Sequence, residues 1–171
     1  MTPSWDLFLT VFFIVGIAYG MLMQREKSVV TLVSIYVAIV LTQLLKDPIA
    51  GFFAGERTIS SFFVASHVSP FTIQAGVFVV TLILISTKSG LSGGRDGSGL
   101  LSPLEIFTYS FLSTALVVTT LISYMPDASR AAMIESSKMA GYLVNHHTWW
   151  LLLPIAAILV FGWNRNPLFD R

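Results

Sequence analysis

The sequence has no cysteine and few charged residues, and both absences limit what the protein can do. None of its 171 residues is cysteine, and only 11% are Asp, Glu, Lys or Arg. Disulfides, thiolate metal sites and thiol catalysis are therefore excluded. A soluble domain carries about 25% charged residues, whereas 54% of this chain is hydrophobic. Because a charge at the centre of a bilayer costs several kcal/mol, charges confined to short clusters between long apolar runs predict a polytopic membrane protein.

Basic charge is also scarce. The net charge is +1, and no basic run is longer than the mixed tripeptide Arg25-Glu26-Lys27. So few cations predict neither nucleic-acid binding nor a strong anionic-lipid patch. The first residues, MTPSWD, are acidic rather than basic, so we expect the first apolar run to be a retained helix and not a signal peptide. The expected partners are the lipid bilayer and either another membrane protein or further copies of the chain.

Five apolar runs predict an all-α, polytopic transmembrane helical bundle that forms one integral membrane domain over residues 1–171. A spanning helix needs about 20 apolar residues, with a range of about 17–25. The runs that meet or approach this length are 5–23, 29–45, 70–87, 103–124 and 148–163. The last run is short and contains Pro154, so the alternative is four spans and an interfacial helical hairpin.

Polar residues at the ends of these runs predict where the helices begin and end. Ser4 and Ser69 are the expected N-caps of the first and third spans, and the stretch SPLE at 102–105 has the pattern of a capping box. Lys46-Asp47-Pro48 is expected to close the second span. Three further segments are predicted between the spans: an interfacial or re-entrant piece at 46–69, a Gly/Ser loop at 88–102, and a surface helix at 127–145 capped by Asp127.

The distribution of Lys and Arg between alternating loops predicts the orientation. The loops on the side of the C-terminus carry six of these residues: Arg25, Lys27, Lys88, Arg95, Arg165 and Arg171. The loops on the other side carry four: Lys46, Arg57, Arg130 and Lys138. Because cytoplasmic loops are enriched in Lys and Arg, the N-terminus is predicted outside and the C-terminus inside. If 148–163 does not span, the C-terminus moves outside.

Two sets of small or polar residues inside the predicted spans are candidate sites. Gly16 and Gly20 form a GxxxG pair in the first span, and this spacing lets two helix backbones approach closely. The sequence leaves open whether the neighbouring helix belongs to the same chain. In the fourth span, Ser110, Ser113 and Thr114 offer a polar lining for a pore. The alternative is that these hydroxyls bond to their own helix or to a neighbour, which is their usual role.

Histidine and carboxylate residues outside the spans give a remote hypothesis of a metal-dependent enzyme. His67, His146 and Glu56 fall on the outer side in the predicted topology, and such groups can hold a metal ion. However, His146 and His147 are adjacent, and neighbouring side chains on a helix point about 100° apart. We therefore expect no metal, no cofactor and no catalytic residue.

Ionisable residues are missing from the middle of every predicted span. Asp6 and Glu105 both lie in first turns, where negative charge suits the helix dipole. Proton-coupled carriers, intramembrane enzymes and voltage sensors depend on mid-span ionisable groups. Catalysis and ion-coupled transport therefore lose support, and an interaction role is favoured by elimination.

The opening of the chain combines Asp6, Gly16 and Gly20 with the stretch QREKSVVTLVSIYVAIVL, and a later loop reads STKSGLSGGRDG. Over residues 4–124 this combination resembles the colicin V production protein family of small bacterial membrane proteins. Tyr19 and Met21 depart from the pattern, because the family has a basic residue before the second glycine and an aromatic residue after it. The resemblance implies an inner-membrane protein with an outside N-terminus and four core helices, and it implies no catalytic residue.

The expected function follows from this resemblance and from the missing ionisable groups. We expect a non-enzymatic bacterial inner-membrane accessory or assembly protein, linked to secretion, bacteriocin production or envelope homeostasis. The alternative is a small channel or transporter lined by the Ser/Thr residues of the fourth span.

Overall fold

The computed structural model describes residues 4–22, 25–53, 69–88 and 103–163. Within these ranges the chain forms seven α-helices and no strand, which confirms the all-α class. The helices are α1 (Trp5–Leu22), α2 (Arg25–Phe53), α3 (Pro70–Lys88), α4 (Pro103–Tyr124), α5 (Asp127–Ser136), α6 (Lys138–Asn145) and α7 (His147–Trp163).

Four of the helices, α1 to α4, are long and apolar enough to cross a membrane. A fifth crossing is added if α6 and α7 count together as one span, which is bent by 68° at their junction. The predicted runs at 5–23, 70–87 and 103–124 agree with α1, α3 and α4 to within one residue at either end. The run at 148–163 corresponds to α7, which begins one residue earlier, at His147.

The centre of the fold is α4, which packs against α1, α2, α3, α6 and α7. Its buried residues extend along the whole helix, and Ala115 and Leu116 are fully enclosed. In contrast, α1 buries only Leu9 and Phe13. Large apolar side chains cover the outside, for example Ile14, which is 61% exposed. Such an apolar exterior fits a helical protein surrounded by lipid.

Three groups of buried side chains hold the helices around α4. Leu9 of α1 and Leu143 of α6 pack in one group with Ala115 of α4. The second group joins Ile35 of α2, Phe78 of α3 and Leu116 of α4, and the third joins Leu32 to Tyr109, with Phe161 against them. In addition, the Tyr36 hydroxyl donates a 2.6 Å hydrogen bond to the carbonyl of Leu151, which links α2 to α7.

The predicted end of the second span at Lys46-Asp47-Pro48 is not a helix end. α2 continues through Pro48 to Phe53. A proline inside a helix removes one backbone hydrogen bond to the carbonyl four residues earlier. Here that residue is Leu44, which is 66% exposed, and Pro48 is itself exposed. The missing bond therefore lies on the exposed side of α2 and not against the packed interior.

The predicted surface helix at 127–145 is two helices, α5 and α6, separated by Ser137 in an extended conformation (φ −141°, ψ 117°). The break allows the Ser137 hydroxyl to accept a hydrogen bond from the backbone N–H of Ala140 and so to cap α6. Asp127 was expected to cap this segment, but it lies inside the first turn of α5 and forms an ion pair with Arg130. Pro126 occupies the cap position and makes no side-chain cap bond.

The predicted caps at Ser4 and Ser69 are confirmed. Ser4 Oγ accepts from the N–H of Leu7 at 3.2 Å, and Ser69 Oγ accepts from the N–H of Thr72 at 3.2 Å. Ser102 of the predicted capping box lies outside the described residues. The same is true of residues 54–68 and 89–102, which hold most of the predicted re-entrant piece and of the Gly/Ser loop.

Candidate functional site

The two sets of candidate residues pack against each other: the glycine pair of α1 contacts the hydroxyl residues of α4. A Cβ atom added at Gly16 would overlap the side chain of Thr114, 2.6 Å from its Cγ2. A Cβ atom added at Gly20 would lie 2.5 Å from Ser110 Cβ and 3.3 Å from Ser110 Cα. Real Cβ atoms essentially never lie within 3.0 Å of such an atom, and 3.3 Å is tighter than most real contacts. The GxxxG face of α1 is therefore filled by α4 of the same chain.

The hydroxyl groups at this contact are bonded within α4. Ser110 Oγ donates to the carbonyl of Ile106 at 2.7 Å, and Thr114 Oγ1 donates to the carbonyl of Ser110 at 2.8 Å. Each hydroxyl thus donates its proton to a backbone carbonyl of its own helix. The two oxygen atoms face the glycine backbone of α1, and contacts between Cα–H groups and oxygen recur at such helix interfaces. We call Gly16, Gly20, Ser110 and Thr114 the α1–α4 contact.

A cavity of about 180 Å³ lies beside the α1–α4 contact and is lined by residues of α1, α2, α3 and α4. All three predicted lining residues, Ser110, Ser113 and Thr114, contribute to its wall. Most of the remaining wall is apolar, as at Ile35 and Leu82. The structure therefore joins the glycine pair and the hydroxyl set at one site, whereas the sequence treats them as separate features.

Sequence reasoning missed the α2 side of the cavity. Ser28 and Thr31 line it, but the sequence marks Ser28 only as the boundary of an apolar run. Ser28 is 5% exposed, and its Oγ has no hydrogen-bond partner among the described residues. The spacing of Ser28, Thr31 and Ile35 places them on one helix face, which is the signal that would have identified this wall.

A second polar contact joins the beginning of α1 to the beginning of α6. Asp6 Oδ1 accepts hydrogen bonds from Ser137 Oγ at 2.6 Å and from the N–H of Met139 at 3.2 Å. Ser137 Oγ in turn accepts from the N–H of Ala140 at 3.0 Å. A carboxylate at a helix N-terminus complements both the free N–H groups and the helix dipole. Asp6 therefore anchors α6 in addition to lying in the first turn of its own helix.

The residues of the remote metal hypothesis are not brought together in the part of the chain that the structure describes. His146 Nδ1 lies 3.0 Å from the carbonyl of Tyr142, and the two rings stack with their centroids 4.4 Å apart. No group of three potential metal ligands occurs among the described residues. Glu56 and His67 lie outside them.

Comparison with known proteins adds no identification. No family model, no curated protein and no solved structure matches this chain. The resemblance to the colicin V production protein family therefore stays an expectation drawn from the sequence.

Proposed function

We propose that this chain is a non-enzymatic accessory or assembly protein of the bacterial cytoplasmic membrane. In this proposal α1 to α4 cross the membrane and the bent pair α6–α7 forms a fifth span. Support for the membrane location comes from the length and composition of the helices and from their apolar outer faces. The link to secretion, bacteriocin production or envelope homeostasis rests on the sequence resemblance over residues 4–124.

The proposed orientation places the N-terminus outside and the C-terminus inside. Its support is the six Lys and Arg residues in the loops of one side against four in the loops of the other. Asp6 and Ser137 are joined by a hydrogen bond, so the start of α1 and the start of α6 share one end of the bundle. Residues 126–146, which we call the α5–α6 cap, then lie on the outer side.

The observation that carries the proposed function is the anchored α5–α6 cap. Its lower face packs into the bundle through Met133, Ala140 and Leu143, which are all buried. Its upper face exposes polar residues, including Glu135 and Lys138. A surface that is already ordered binds a partner without the entropy cost of immobilising a loose segment. The cap therefore provides a fixed polar surface for a partner protein at the end of an otherwise apolar bundle.

The Gly16/Gly20 face does not supply the partner surface in this proposal. Both glycines are packed against Ser110 and Thr114 of α4, so a second chain has no access to them while the bundle is folded. The cap is therefore the surface at which we expect association.

Single-cysteine variants provide the test, because the chain has no cysteine of its own. We expect Glu135→Cys to react with a membrane-impermeant maleimide on intact spheroplasts and Lys27→Cys to react only after permeabilisation. A photo-crosslinker attached at position 135 should give a discrete protein adduct. The same crosslinker on Leu159→Cys, a site on α7 that is 67% exposed, should give lipid adducts only.

Two results would count against the proposal in different ways. Labelling of Lys27→Cys from outside would show that the orientation is the opposite of the proposed one, and it would not contradict the accessory role. If the crosslinker at position 135 gave no protein adduct that is absent at position 159, the accessory role would be contradicted.

A second candidate function, a small channel or transporter, is favoured by one observation. Ser110, Ser113 and Thr114 of α4 do line a cavity, as a pathway along the fourth span would require. Opposing this function, the Ser110 and Thr114 protons are bonded within α4 and both side chains are packed against α1.

Channel activity predicts that proteoliposomes containing the chain swell faster in glycerol or urea than protein-free liposomes do. Thr31→Leu, which adds volume inside the cavity, should slow the swelling, whereas Leu159→Ala on the outer surface should not. Swelling at the rate of protein-free liposomes would eliminate the channel function for these solutes.

A further inference from the structure

We propose that α6 is an interfacial helix whose outward face contacts the phospholipid headgroups of the outer leaflet. This face consists of Lys138, Tyr142 and Asn145, with Trp149 just beyond it at the beginning of α7, and we call these four residues the α6 lipid face. The proposal rests on the membrane location proposed above and does not depend on the accessory role. It divides the cap between two partners, since lipid covers α6 and leaves α5 to a partner protein.

The contacts of α6 show which way its exposed face points. Ala140 and Leu143 of α6 are buried in one group with Val118 and Ile122 of α4. These two α4 residues lie about 9 and 3 Å before the end of α4 at Tyr124, at a rise of about 1.5 Å per residue. α6 therefore packs against the side of α4 and not across its end. The opposite face of α6 points away from the axis of the bundle, toward the surrounding lipid.

The bend between α6 and α7 keeps α6 close to one depth in the membrane. The two helices meet at 68°. The eight residues of α6 form about 12 Å of helix and advance only about 4–5 Å along the axis of α7. The interfacial layer of a bilayer is about 5–7 Å thick on each side. α6 therefore fits inside this layer along its whole length.

The length of α7 sets the depth at which α6 lies. α7 has 17 residues and is about 25 Å long, whereas the hydrocarbon core is about 30 Å thick. Raising the elbow at His146 above the membrane would draw the other end of α7 into the hydrocarbon. The start of α1 lies at the same level as α6, because Asp6 accepts hydrogen bonds from Ser137 and from the N–H of Met139. The level of α6 is therefore the boundary between hydrocarbon and headgroups.

The exposed side chains at this level have the chemistry of a membrane interface. Trp5, Tyr142 and Trp149 are 41%, 59% and 61% exposed, and such rings, with an apolar body and one polar atom, are enriched at the headgroup level. Lys138 and Asn145 are also exposed. α6 contains no Asp or Glu, so its single charged side chain is a cation, which suits the phosphate groups of the lipid.

Single-cysteine probes measure the depth of α6 directly, because the chain has no cysteine of its own. A nitrobenzoxadiazole fluorophore is attached at Asn145→Cys, which leaves Tyr142 and Trp149 in place. The same fluorophore at Glu135→Cys is the reference for water, and at Leu159→Cys the reference for the hydrocarbon. The full chain in liposomes is exposed to three quenchers: lipid spin-labelled at the headgroup, lipid spin-labelled in the middle of the acyl chain, and iodide on both sides.

We expect each quencher to act most strongly at a different position. The headgroup label should quench the probe at position 145 more than the probes at 135 and 159. Iodide should quench the probe at 135 most, and the mid-chain label should quench the probe at 159 most.

Removal of the exposed aromatic rings tests what holds α6 at this depth. Tyr142→Ser together with Trp149→Ser should cause a loss of headgroup quenching at position 145 and a gain of iodide quenching there. Tyr19→Ser is the matched control, because Tyr19 is 57% exposed and lies near the other end of α1. That variant should leave both values at position 145 unchanged. Circular dichroism shows whether each variant is folded.

Equal quenching of positions 145 and 135 by every reagent would overturn the proposal, since α6 would then lie in water as α5 does. It is also overturned if the mid-chain label quenches position 145 most, or if position 145 is protected from all three reagents, as beneath a second protein. These comparisons keep both aromatic rings, so a double variant that failed to fold would not protect the proposal. If the mid-chain label failed to quench position 159, the proposed membrane location would itself be contradicted.

Discussion

Gly20→Ala is expected to destabilise the bundle by about 2–3 kcal/mol, the upper part of the range for overpacking a well-packed interior. The added methyl group would lie 2.5 Å from Ser110 Cβ and 3.3 Å from Ser110 Cα. Neither atom moves when the Ser110 side chain rotates, so the 2.5 Å overlap with Cβ is relieved only if the two helices separate. The loss of stability is measured by unfolding the protein in mixed micelles of increasing dodecyl sulfate content and monitoring helix content by circular dichroism.

Gly16→Ala is expected to cost less, about 1 kcal/mol. The atoms nearest to its added methyl group belong to the side chain of Thr114, with Cγ2 at 2.6 Å and Cβ at 3.1 Å. Rotation of the Thr114 side chain relieves part of this overlap, although it gives up the hydrogen bond to the Ser110 carbonyl and leaves Cβ in place. A larger loss of stability for Gly20→Ala than for Gly16→Ala would distinguish a contact with the backbone of α4 from a contact with a side chain.

Gly76 of α3 is the matched control. Its added Cβ would meet no atom within 4 Å, and alanine is a better helix former than glycine by about 1 kcal/mol. Gly76→Ala should therefore be neutral or stabilising by up to about 1 kcal/mol. If all three alanine variants had the same stability, glycine would be serving helix flexibility at these positions and not close packing.

A compensating change provides the stricter test. Ser110→Gly removes the Cβ and Oγ atoms that Gly20→Ala would overlap, so the double variant should be more stable than the sum of the two single effects predicts. A coupling of about 1 kcal/mol or more is expected for residues in direct contact. Additive effects would contradict the close approach of α1 and α4 at this point.

The α1–α4 contact also changes how an association experiment on the glycines must be interpreted. Replacing Gly16 and Gly20 by isoleucine introduces side chains far larger than the methyl group that already overlaps α4. We therefore expect such a variant to lose its fold. Loss of association in that variant would report unfolding of the bundle, so the partner surface has to be probed at the cap, where Glu135 is exposed.

The features predicted correctly from sequence are those set by local chemistry. The apolar runs fix the positions of α1, α3 and α4, since a long apolar segment has few alternatives to a helix. The caps at Ser4 and Ser69 involve residues three positions apart. In both cases the residues that decide the structure are close together in the chain.

The features that the sequence left open or placed wrongly depend on distant residues. The GxxxG spacing indicates close packing, but only the fold shows that Ser110 and Thr114 are the neighbours. Ser28 and Thr31 line the cavity only because α2 brings them beside α1 and α4. The break in the predicted surface helix lies at Ser137, whose hydroxyl bonds to Asp6 across 131 positions of sequence. No local pattern contains that information.

Ser137→Ala is expected to destabilise the bundle by about 1–2 kcal/mol, since loss of a serine N-cap alone costs about 1 kcal/mol and Ser137 is 1% exposed. The change leaves the N–H of Ala140 without its cap and takes one hydrogen bond from Asp6. Ser136→Ala is the adjacent control, because the Ser136 hydroxyl is exposed and bonds back to the carbonyl of Ala132. That variant should stay within about 0.5 kcal/mol of the wild type.

Ser137→Asp separates an ordinary cap from the three-way contact with Asp6. Aspartate is as good an N-cap as serine in isolation, so a simple cap would tolerate the change. Here the new carboxylate would face Asp6 Oδ1 with no proton to share, and like charges repel at this distance. We expect Ser137→Asp to be less stable than Ser137→Ala, and to recover when Asp6→Ala removes the opposing charge. Hydrogen exchange of the α6 amides should follow the same order, whereas equal exchange in all the variants would show that Asp6 does not hold α6 in place.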